Sequence, residues 1–189
     1  MFAPSQGEDG SRAELLSVER YGVAFGERIV LADLSFQLAA TGVTTIMGPA
    51  GTGKSTLLRS LAGLHAGNTL FRSWGRARLG GLPLDRQNAP TLVLQNPKLL
   101  GSRAIDHLAD RLRAAEGVPR SPAEMRAHIV AELLRLDCAD LVDALERALI
   151  DLPADQQRRL AIVGGAIGRP PLLMLDEPSA GLDLSLIHI

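Results

Sequence analysis

The nine residues GPAGTGKST, Gly48 to Thr56, have the types and spacing of a loop that binds phosphate. They fit the pattern G-x-x-x-x-G-K-[ST] and follow an apolar run, VTTIM. Glycines let consecutive backbone N–H groups face an anion, and the start of a helix adds partial positive charge. The lysine can then reach the β- and γ-phosphates, and the serine hydroxyl can bind Mg²⁺; the alternative is a glycine-rich turn without a ligand. The predicted nucleotide-binding residues are Gly48, Pro49, Ala50, Gly51, Thr52, Gly53, Lys54, Ser55 and Thr56.

A second motif, LLMLDEP, places two acids at the end of an apolar run. Burying carboxylates at a strand end is costly unless a cation lies nearby, and Mg²⁺ is such a cation. We therefore expect Asp176 to bind the metal and Glu177 to act catalytically by polarising an attacking water. The alternative is that the two acids merely end a strand.

Composition limits the classes of protein to which the chain can belong. The 189 residues are 46% hydrophobic and 22% charged, which predicts one globular domain with room for a subdomain. The formal net charge of −1 gives no reason to expect a nucleic-acid partner. A single cysteine, Cys138, excludes an internal disulfide and favours a cytoplasmic setting. The N-terminus lacks the pattern of a signal peptide, and no window is apolar enough for a membrane span.

The elements expected before residue 90 are those of a strand-rich segment followed by one helix. Apolar runs from Leu15 to Leu38 predict antiparallel strands joined by a turn at 26–28. VTTIM, Val43 to Met47, is predicted to be a buried strand that leads into the loop. A helix is expected from Lys54 to Leu64, and the chain after it is a glycine-punctuated stretch.

After residue 90 the pattern becomes mainly helical. TLVL, Thr91 to Leu94, is strand-like, and helical periodicity runs from about Ser102 to Leu149. Within it, Ser121 and Glu124 have the spacing of a capping box, with proline at the first helical position. Another helix is expected over 156–167, before the strand LLML.

Taken in order, the phosphate loop, QNP, the helix after LPADQ and LDEPSAGLD resemble the ATP-binding cassette (ABC) family, specifically the nucleotide-binding subunits of transporters. The resemblance covers about Leu15 to Asp183. It implies an α/β fold with a P-loop NTPase core, an antiparallel β subdomain and an α-helical insert at about 96–155, with the C-terminal part missing. The expected organisation is a flexible tail over 1–12 and one ABC domain over 13–183.

The resemblance also implies roles for single residues. Phe25 lies 23 residues before Gly48, where the family has an aromatic that stacks on adenine, although Tyr21 competes for this role and Phe25 is alternatively a core aromatic. Gln95 matches the glutamine that contacts Mg²⁺ and water and senses the γ-phosphate. A D-loop, which contacts the opposite cassette of a dimer, is matched by Ser179, Ala180, Gly181, Leu182 and Asp183.

The chain departs from the family at its signature motif, LSGGQ, where it has LPADQ. The family uses this segment to hold the γ-phosphate bound by the other cassette; the matching residues here are Pro153, Ala154, Asp155 and Gln156. Proline has neither hydroxyl nor N–H, and Asp155 adds a negative charge. Two unit charges about 4 to 5 Å apart repel by roughly 3 to 4 kcal/mol at an effective dielectric near 20. Alternatively, Asp155 caps a helix that begins at Gln156.

The segment after the D-loop also differs from the family. LSLIHI, residues 184–189, is interpreted as an artefactual tail, because the family continues with another strand that ends in a histidine. His188 comes too early to be that residue. A gene fragment is therefore expected.

The function implied is that of an ATP-binding and ATP-hydrolysing subunit that energises transport through transmembrane permease subunits, as in an importer. ATP and Mg²⁺ are the implied ligands, a second cassette is the implied dimer partner, and the implied location is the inner face of the cell membrane. The alternative is a regulatory cassette that hydrolyses ATP weakly because of LPADQ. Chromosome-maintenance cassettes do not fit, because no long coiled coil separates the phosphate loop from LPADQ.

Overall fold

The computed structural model describes residues 14–95, 97, 99 and 101–178. The chain divides into two compact units, Met1–Ala89 and Pro90–Ile189. Among the described residues, the first contains an antiparallel sheet and one helix, and the second contains three α-helices and a short parallel sheet. The predicted α/β class, with an antiparallel β part and a helical insert, is confirmed.

The first unit is built around a long hairpin. A turn with Gly26 at φ 58° joins its two strands, and this left-handed conformation is one that glycine adopts without strain. The antiparallel strands expected between Leu15 and Leu38 are confirmed. The sheet order is β2-β1-β3-β4. The elements of this unit are β1 (Glu14–Phe25), β2 (Arg28–Ala39), α1 (Lys54–Leu61), β3 (Phe71–Leu79) and β4 (Leu82–Pro83).

Strand β3 lies where the sequence predicted no element. It pairs with the second edge of β1, and the ring of Trp74 lies over Gly22, where an added Cβ would come within 2.1 Å of it. Gly75, at φ 84°, interrupts the alternation, and three arginines lower the hydropathy of the strand. The strand exists because β1 offers it a partner, which its own residues do not indicate.

The prediction of a buried strand at VTTIM is wrong for the described residues. Val43 and Met47 are 97% and 87% exposed, and the segment 43–47 forms neither a helix nor a strand of either sheet. A parallel strand is buried when neighbouring strands and helices cover it, so its apolar composition alone does not place it in a sheet. Helix α1 also ends earlier than predicted. The Leu64 N–H bonds to the Arg59 carbonyl, and Gly63 takes φ 69°, which closes the helix one turn short.

The second unit contains a helical core behind the pair β5 and β6. The strand expected at TLVL and the strand LLML are both confirmed, and they pair in parallel. Two short 3₁₀ segments, Ala139–Ala144 and Leu149–Asp151, connect α3 to α4. The elements are β5 (Thr91–Val93), α2 (Ala104–Glu116), α3 (Pro122–Arg135), α4 (Ala154–Ala166) and β6 (Leu173–Leu175).

Local sequence signals determine how α3 starts and which face it buries. The Ser121 hydroxyl accepts a bond from the Glu124 N–H at 3.3 Å, and the Glu124 carboxylate accepts one from the Ser121 N–H at 2.8 Å, so the predicted capping box is confirmed. The buried core of the unit includes Leu108, Leu112, Ile129, Leu133, Leu141, Leu145, Leu160 and Ile167.

Helix α4 begins two residues before the predicted Gln156. Its N-cap is Pro153, which makes no side-chain capping bond, and its first residue is Ala154. Asp155 therefore lies inside the first turn, and the expectation that it caps the helix is wrong. Its charge still lies near the positive end of the helix dipole.

One buried carboxylate connects α3 to the segment after α4. Glu132 is 4% exposed and accepts bonds from Arg135 Nε at 2.8 Å and from Arg169 at 2.6 Å. Burial acts to raise the pKa of Glu132, but the bonds from the two arginines outweigh it and lower the pKa below its usual value.

Within the described residues, no helix combines the length and the apolarity that crossing a membrane requires.

We predict that Glu132 makes the unit acid-labile. The pKa of Glu132 is lower in the folded chain than its ordinary value of 4.5. Its contribution to the free energy of unfolding is therefore fully present above pH 4.5 and is lost as the pH falls through the folded pKa. Glu132→Gln should lower the free energy of unfolding by about 2 kcal/mol at pH 7 and flatten the loss below pH 4.5. Urea unfolding as a function of pH measures both effects.

The matched control is Glu146→Gln, which changes an exposed carboxylate paired with Arg103. It should cost less than about 1 kcal/mol and leave the pH profile unchanged. Equal effects of the two substitutions would contradict the role given to Glu132.

Candidate functional site

The phosphate loop has, at two of its positions, a left-handed backbone that glycine adopts without strain. Gly51 and Gly53 have φ values of 78° and 93°, in the left-handed region. Gly53 also lies against β2, because an added Cβ would come within 2.7 Å of Leu31 Cδ2 and 3.2 Å of Val30 Cγ1. The loop conformation and its packing therefore both depend on this residue.

The lysine of the loop folds back over the loop itself. Lys54 Nζ donates to the carbonyl oxygens of Gly48 and Pro49 at 2.7 and 2.8 Å. Thr52 Oγ1 donates to the same Pro49 carbonyl at 2.9 Å. The ammonium group is thus held at the loop by oxygens, and phosphate oxygens have the same acceptor chemistry.

The first turn of α1 has the charge character of an anion site. Its N-cap is Gly53, which has no capping side chain, and no acidic residue lies in the first turn. The partial positive charge at this end is therefore not reduced by a carboxylate of the helix.

The two candidate aromatics have different environments. Tyr21 is 8% exposed, and its hydroxyl shares a hydrogen bond with Ser60 Oγ at 2.5 Å, which makes it a core residue. Phe25 is half-buried and makes an edge contact with the His65 ring at 5.1 Å. His65 in turn stacks on Phe71 at 4.8 Å. Burial, and then the charge of Arg59, lower the pKa of His65, which favours a neutral ring beside Phe25.

In the second unit, the parallel pairing of β5 with β6 determines where the polar residues lie. Val93 pairs with Leu175, and the Asp176 N–H donates to the Val93 carbonyl at 2.9 Å. The chain leaves both strands at the same edge of the sheet. Gln95 Nε2 donates to Glu177 Oε2 at 2.6 Å. The two residues predicted to be catalytic are therefore in direct contact.

The two acids after β6 have different surroundings. Asp176 is 2% exposed, whereas Glu177 is exposed and has φ 49°, a left-handed conformation that is uncommon for a residue with a side chain. Such backbone conformations cluster at functional sites, where surrounding contacts maintain them.

The predicted metal ligands suit Mg²⁺ by their chemistry. Ser55 offers a hydroxyl, Asp176 a buried carboxylate, and Gln95 an amide oxygen that remains after its Nε2 has bonded to Glu177. All three are hard oxygen donors, the kind that Mg²⁺ prefers. Ser55 belongs to the first unit, and the other two belong to the second.

A buried residue that the sequence analysis did not predict contacts the ends of β5 and β6. Arg158 of α4 is 6% exposed, and its guanidinium donates to four backbone carbonyl oxygens. The available signal was an arginine in helical phase with the buried Ala161, three residues later.

The signature-like segment forms the start of α4. Pro153 and Ala154 are exposed, whereas Asp155 and Gln156 are half-buried. Leu152, just before them, is buried and accepts a bond from Gln157 Nε2 at 2.9 Å. The predicted D-loop, Ser179 to Asp183, lies outside the described residues.

The sequence also matches a described protein family. Residues 31–180 match the family described as "ABC transporter". The chain is 38% identical over 181 residues to the Fe(3+) ions import ATP-binding protein FbpC of Streptomyces coelicolor, covering 91% of this chain and 48% of the relative. It is 38% identical over 160 residues to the aliphatic sulfonates import ATP-binding protein SsuB 2 of Burkholderia lata, covering 84% and 54%. The chain thus spans about half the length of these curated relatives.

Solved structures with a similar fold share less sequence. The structure of cbiO1 from Clostridium perfringens, part of the ABC transporter complex cbiONQ, has a TM-score of 0.69 and 24% identity, covering 90% of this chain and 68% of that one. A bacterial Atm1-family ABC exporter with ATP bound also has a TM-score of 0.69 and 24% identity, covering 93% and 31%. At this identity the likeness shows the fold alone.

We predict that two glycine substitutions in the phosphate loop differ in cost. Gly51→Ala should lower the free energy of unfolding by about 1 kcal/mol, because alanine must adopt the left-handed region. Gly53→Ala should cost more, because its Cβ would also come within 2.7 Å of Leu31. An added Cβ at Gly51 has nothing within 4 Å, which makes Gly51→Ala the control for strain alone. Urea unfolding measures the difference, and equal losses would contradict the packing role of Gly53.

Proposed function

The chain belongs to the ABC transporter family, and we propose that it is a subunit that binds and hydrolyses ATP to drive a membrane partner. The observation that carries this proposal is the 2.6 Å bond between Gln95 and Glu177 at the shared end of two parallel strands. An amide and a carboxylate in contact there have the chemistry needed to orient and deprotonate a water molecule. The domain limits at 13–183 remain a prediction.

Nucleotide binding is assigned to the loop of residues 48–56. Lys54 exchanges the carbonyl oxygens of Gly48 and Pro49 for oxygens of the β- and γ-phosphates. The loop N–H groups and the start of α1 supply further positive potential. Phe25 stacks on the adenine, since Tyr21 is committed to the core through Ser60.

Hydrolysis is assigned to the edge of the second unit. Gln95 orients the attacking water, and Glu177 polarises it and accepts its proton. The new oxygen–phosphorus bond forms as the bond from the γ-phosphorus to the β,γ-bridging oxygen breaks, with ADP as the leaving group. The Ser55 hydroxyl, the Gln95 amide oxygen and the Asp176 carboxylate are the groups that would hold Mg²⁺, which would supply neutralisation of phosphate charge.

The names of the relatives favour import as the direction of transport. Two relatives at 38% identity are named as import ATP-binding proteins, one for Fe(3+) ions and one for aliphatic sulfonates. We assign this chain to an import system with transmembrane permease subunits and a second cassette as partners, located at the cytoplasmic face of the membrane.

The test of this function is ATP turnover with bound nucleotide measured in parallel. Wild-type protein should release phosphate from Mg-ATP, and Glu177→Gln should lower kcat about 100-fold or more while ATP still binds. Lys54→Ala should lose nucleotide binding, measured by calorimetry, because the phosphate charge loses its cation. Turnover that persists in Glu177→Gln would reject the assignment of the base, and wild-type protein that binds no ATP would reject the function.

A weakly hydrolysing regulatory cassette is the second candidate, and the start of α4 favours it. Pro153 occupies the N-cap without a capping bond, and the carboxylate of Asp155 lies in the first turn, where an incoming phosphate would be repelled.

Restoring the family residues separates the two candidates. If the segment limits turnover, replacing Pro153, Ala154 and Asp155 by Ser, Gly and Gly should raise kcat about tenfold or more, because a donor is gained and a charge is lost. Asp151→Asn, one exposed acid just before the segment, is the matched control and should leave kcat unchanged. If wild type is slow and the triple replacement stays equally slow, the segment is not the cause.

A further inference from the structure

The guanidinium of Arg158 joins the two strand ends that carry Gln95 and Glu177. Nη1 donates to the carbonyl oxygen of Leu94 at 2.6 Å and to that of Gln95. Nη2 donates to the carbonyl oxygens of Asp176 and Glu177 at 3.2 and 2.9 Å. Each nitrogen thus binds two successive carbonyls of one chain segment, and the plane of the guanidinium spans both segments.

This contact is made where the backbone needs external support. The strands themselves end at Val93 and Leu175, and one further bond, from the Asp176 N–H to the Val93 carbonyl, extends the pairing by a single residue. Glu177 also has φ 49°, which a residue with a side chain adopts only when its surroundings maintain it. The bond from Arg158 to the Glu177 carbonyl supplies such support.

The position of Arg158 in α4 gives the contact a second consequence. Helix α4 begins at Ala154, within the signature-like segment, and Arg158 follows one turn later on the buried side. A rigid helix therefore connects that segment to both strand ends.

We propose that Arg158 is the positioning residue that holds Gln95 and Glu177 in contact and transmits the placement of α4 to them. It touches backbone only and acts through the two side chains. The effect of Arg158 on kcat rests on the hydrolysis proposed above, whereas its effect on the backbone of the two strand ends does not.

Lysine is the informative replacement, because it keeps the charge but presents a single ammonium group instead of a planar fork. An ammonium group cannot bind both pairs of carbonyls with the same geometry. Arg158→Lys should therefore release one strand end and displace Glu177, without altering the phosphate loop. Arg159→Lys is the matched control, since Arg159 is the next residue of the helix and pairs with Asp140 away from the strand ends.

The experiment compares the three proteins by ATP kinetics and by hydrogen exchange. In Arg158→Lys, kcat should fall about 10- to 100-fold with KM within about twofold of wild type, after correction for the folded fraction. Amide exchange in peptides covering 91–95 and 173–178 should become about tenfold faster or more, while peptides of α2 and α3 remain unchanged. Arg159→Lys should match wild type in both measurements.

The outcomes separate this proposal from the proposed function. If Arg158→Lys matches Arg159→Lys in exchange and in kcat, the positioning role is rejected and the function stands. If wild type shows no turnover, the function is rejected, and the exchange data alone decide whether Arg158 holds the two strand ends. A uniform rise in exchange over the whole unit, with kcat and KM unchanged after the correction, would indicate a merely structural residue and also reject the proposal.

Discussion

The parallel pairing of β5 with β6 is the constraint on which the candidate chemistry depends. Val93 opposite Leu175 fixes the register, and the Asp176 N–H bond to Val93 extends it by one residue. A slip by one residue would turn every following side chain to the other face of the sheet. In the observed register, Gln95 and Glu177, which are 82 residues apart in sequence, form a hydrogen bond.

Three residues per strand are too few to hold such a register alone, because short strand pairs are marginally stable in water. Helix α4 supplies the additional contacts. Gly165 faces the pair closely enough that an added Cβ would come within 2.7 Å of Val93 and 3.0 Å of Leu173. The buried charge of Arg158 is compensated by four carbonyl dipoles at the strand ends. The helix and the site are therefore parts of one packed arrangement.

What the sequence predicts correctly is what local chemistry determines. The capping box at Ser121 and the hairpin turn at Gly26 depend on neighbours within a few residues, and both are present. The strand at Leu173–Leu175 follows from its apolar run before two acids. The order of the motifs was sufficient to indicate the family that the comparison then showed.

What the sequence did not predict depends on partners far along the chain. VTTIM has the composition of a buried strand, yet it is exposed and unpaired within the part of the chain that is described. Strand β3 forms because β1 has a free edge, and Arg158 is buried because two strand ends present carbonyls to it. Neither helical nor strand periodicity carries this information, since each depends on contacts across tens of residues.

The most direct measurement is the NMR signal of the Gln95 side-chain amide in protein labelled with ¹⁵N-glutamine, assigned by its loss in Gln95→Ala. We expect the two amide protons of wild-type protein to be shifted from the position of a free glutamine and to return to it in Glu177→Ala, because the 2.6 Å bond is then removed. A signal at the free position in wild type, unchanged by Glu177→Ala, would show that the two side chains are not held in contact, and would contradict the arrangement on which the proposed hydrolysis rests.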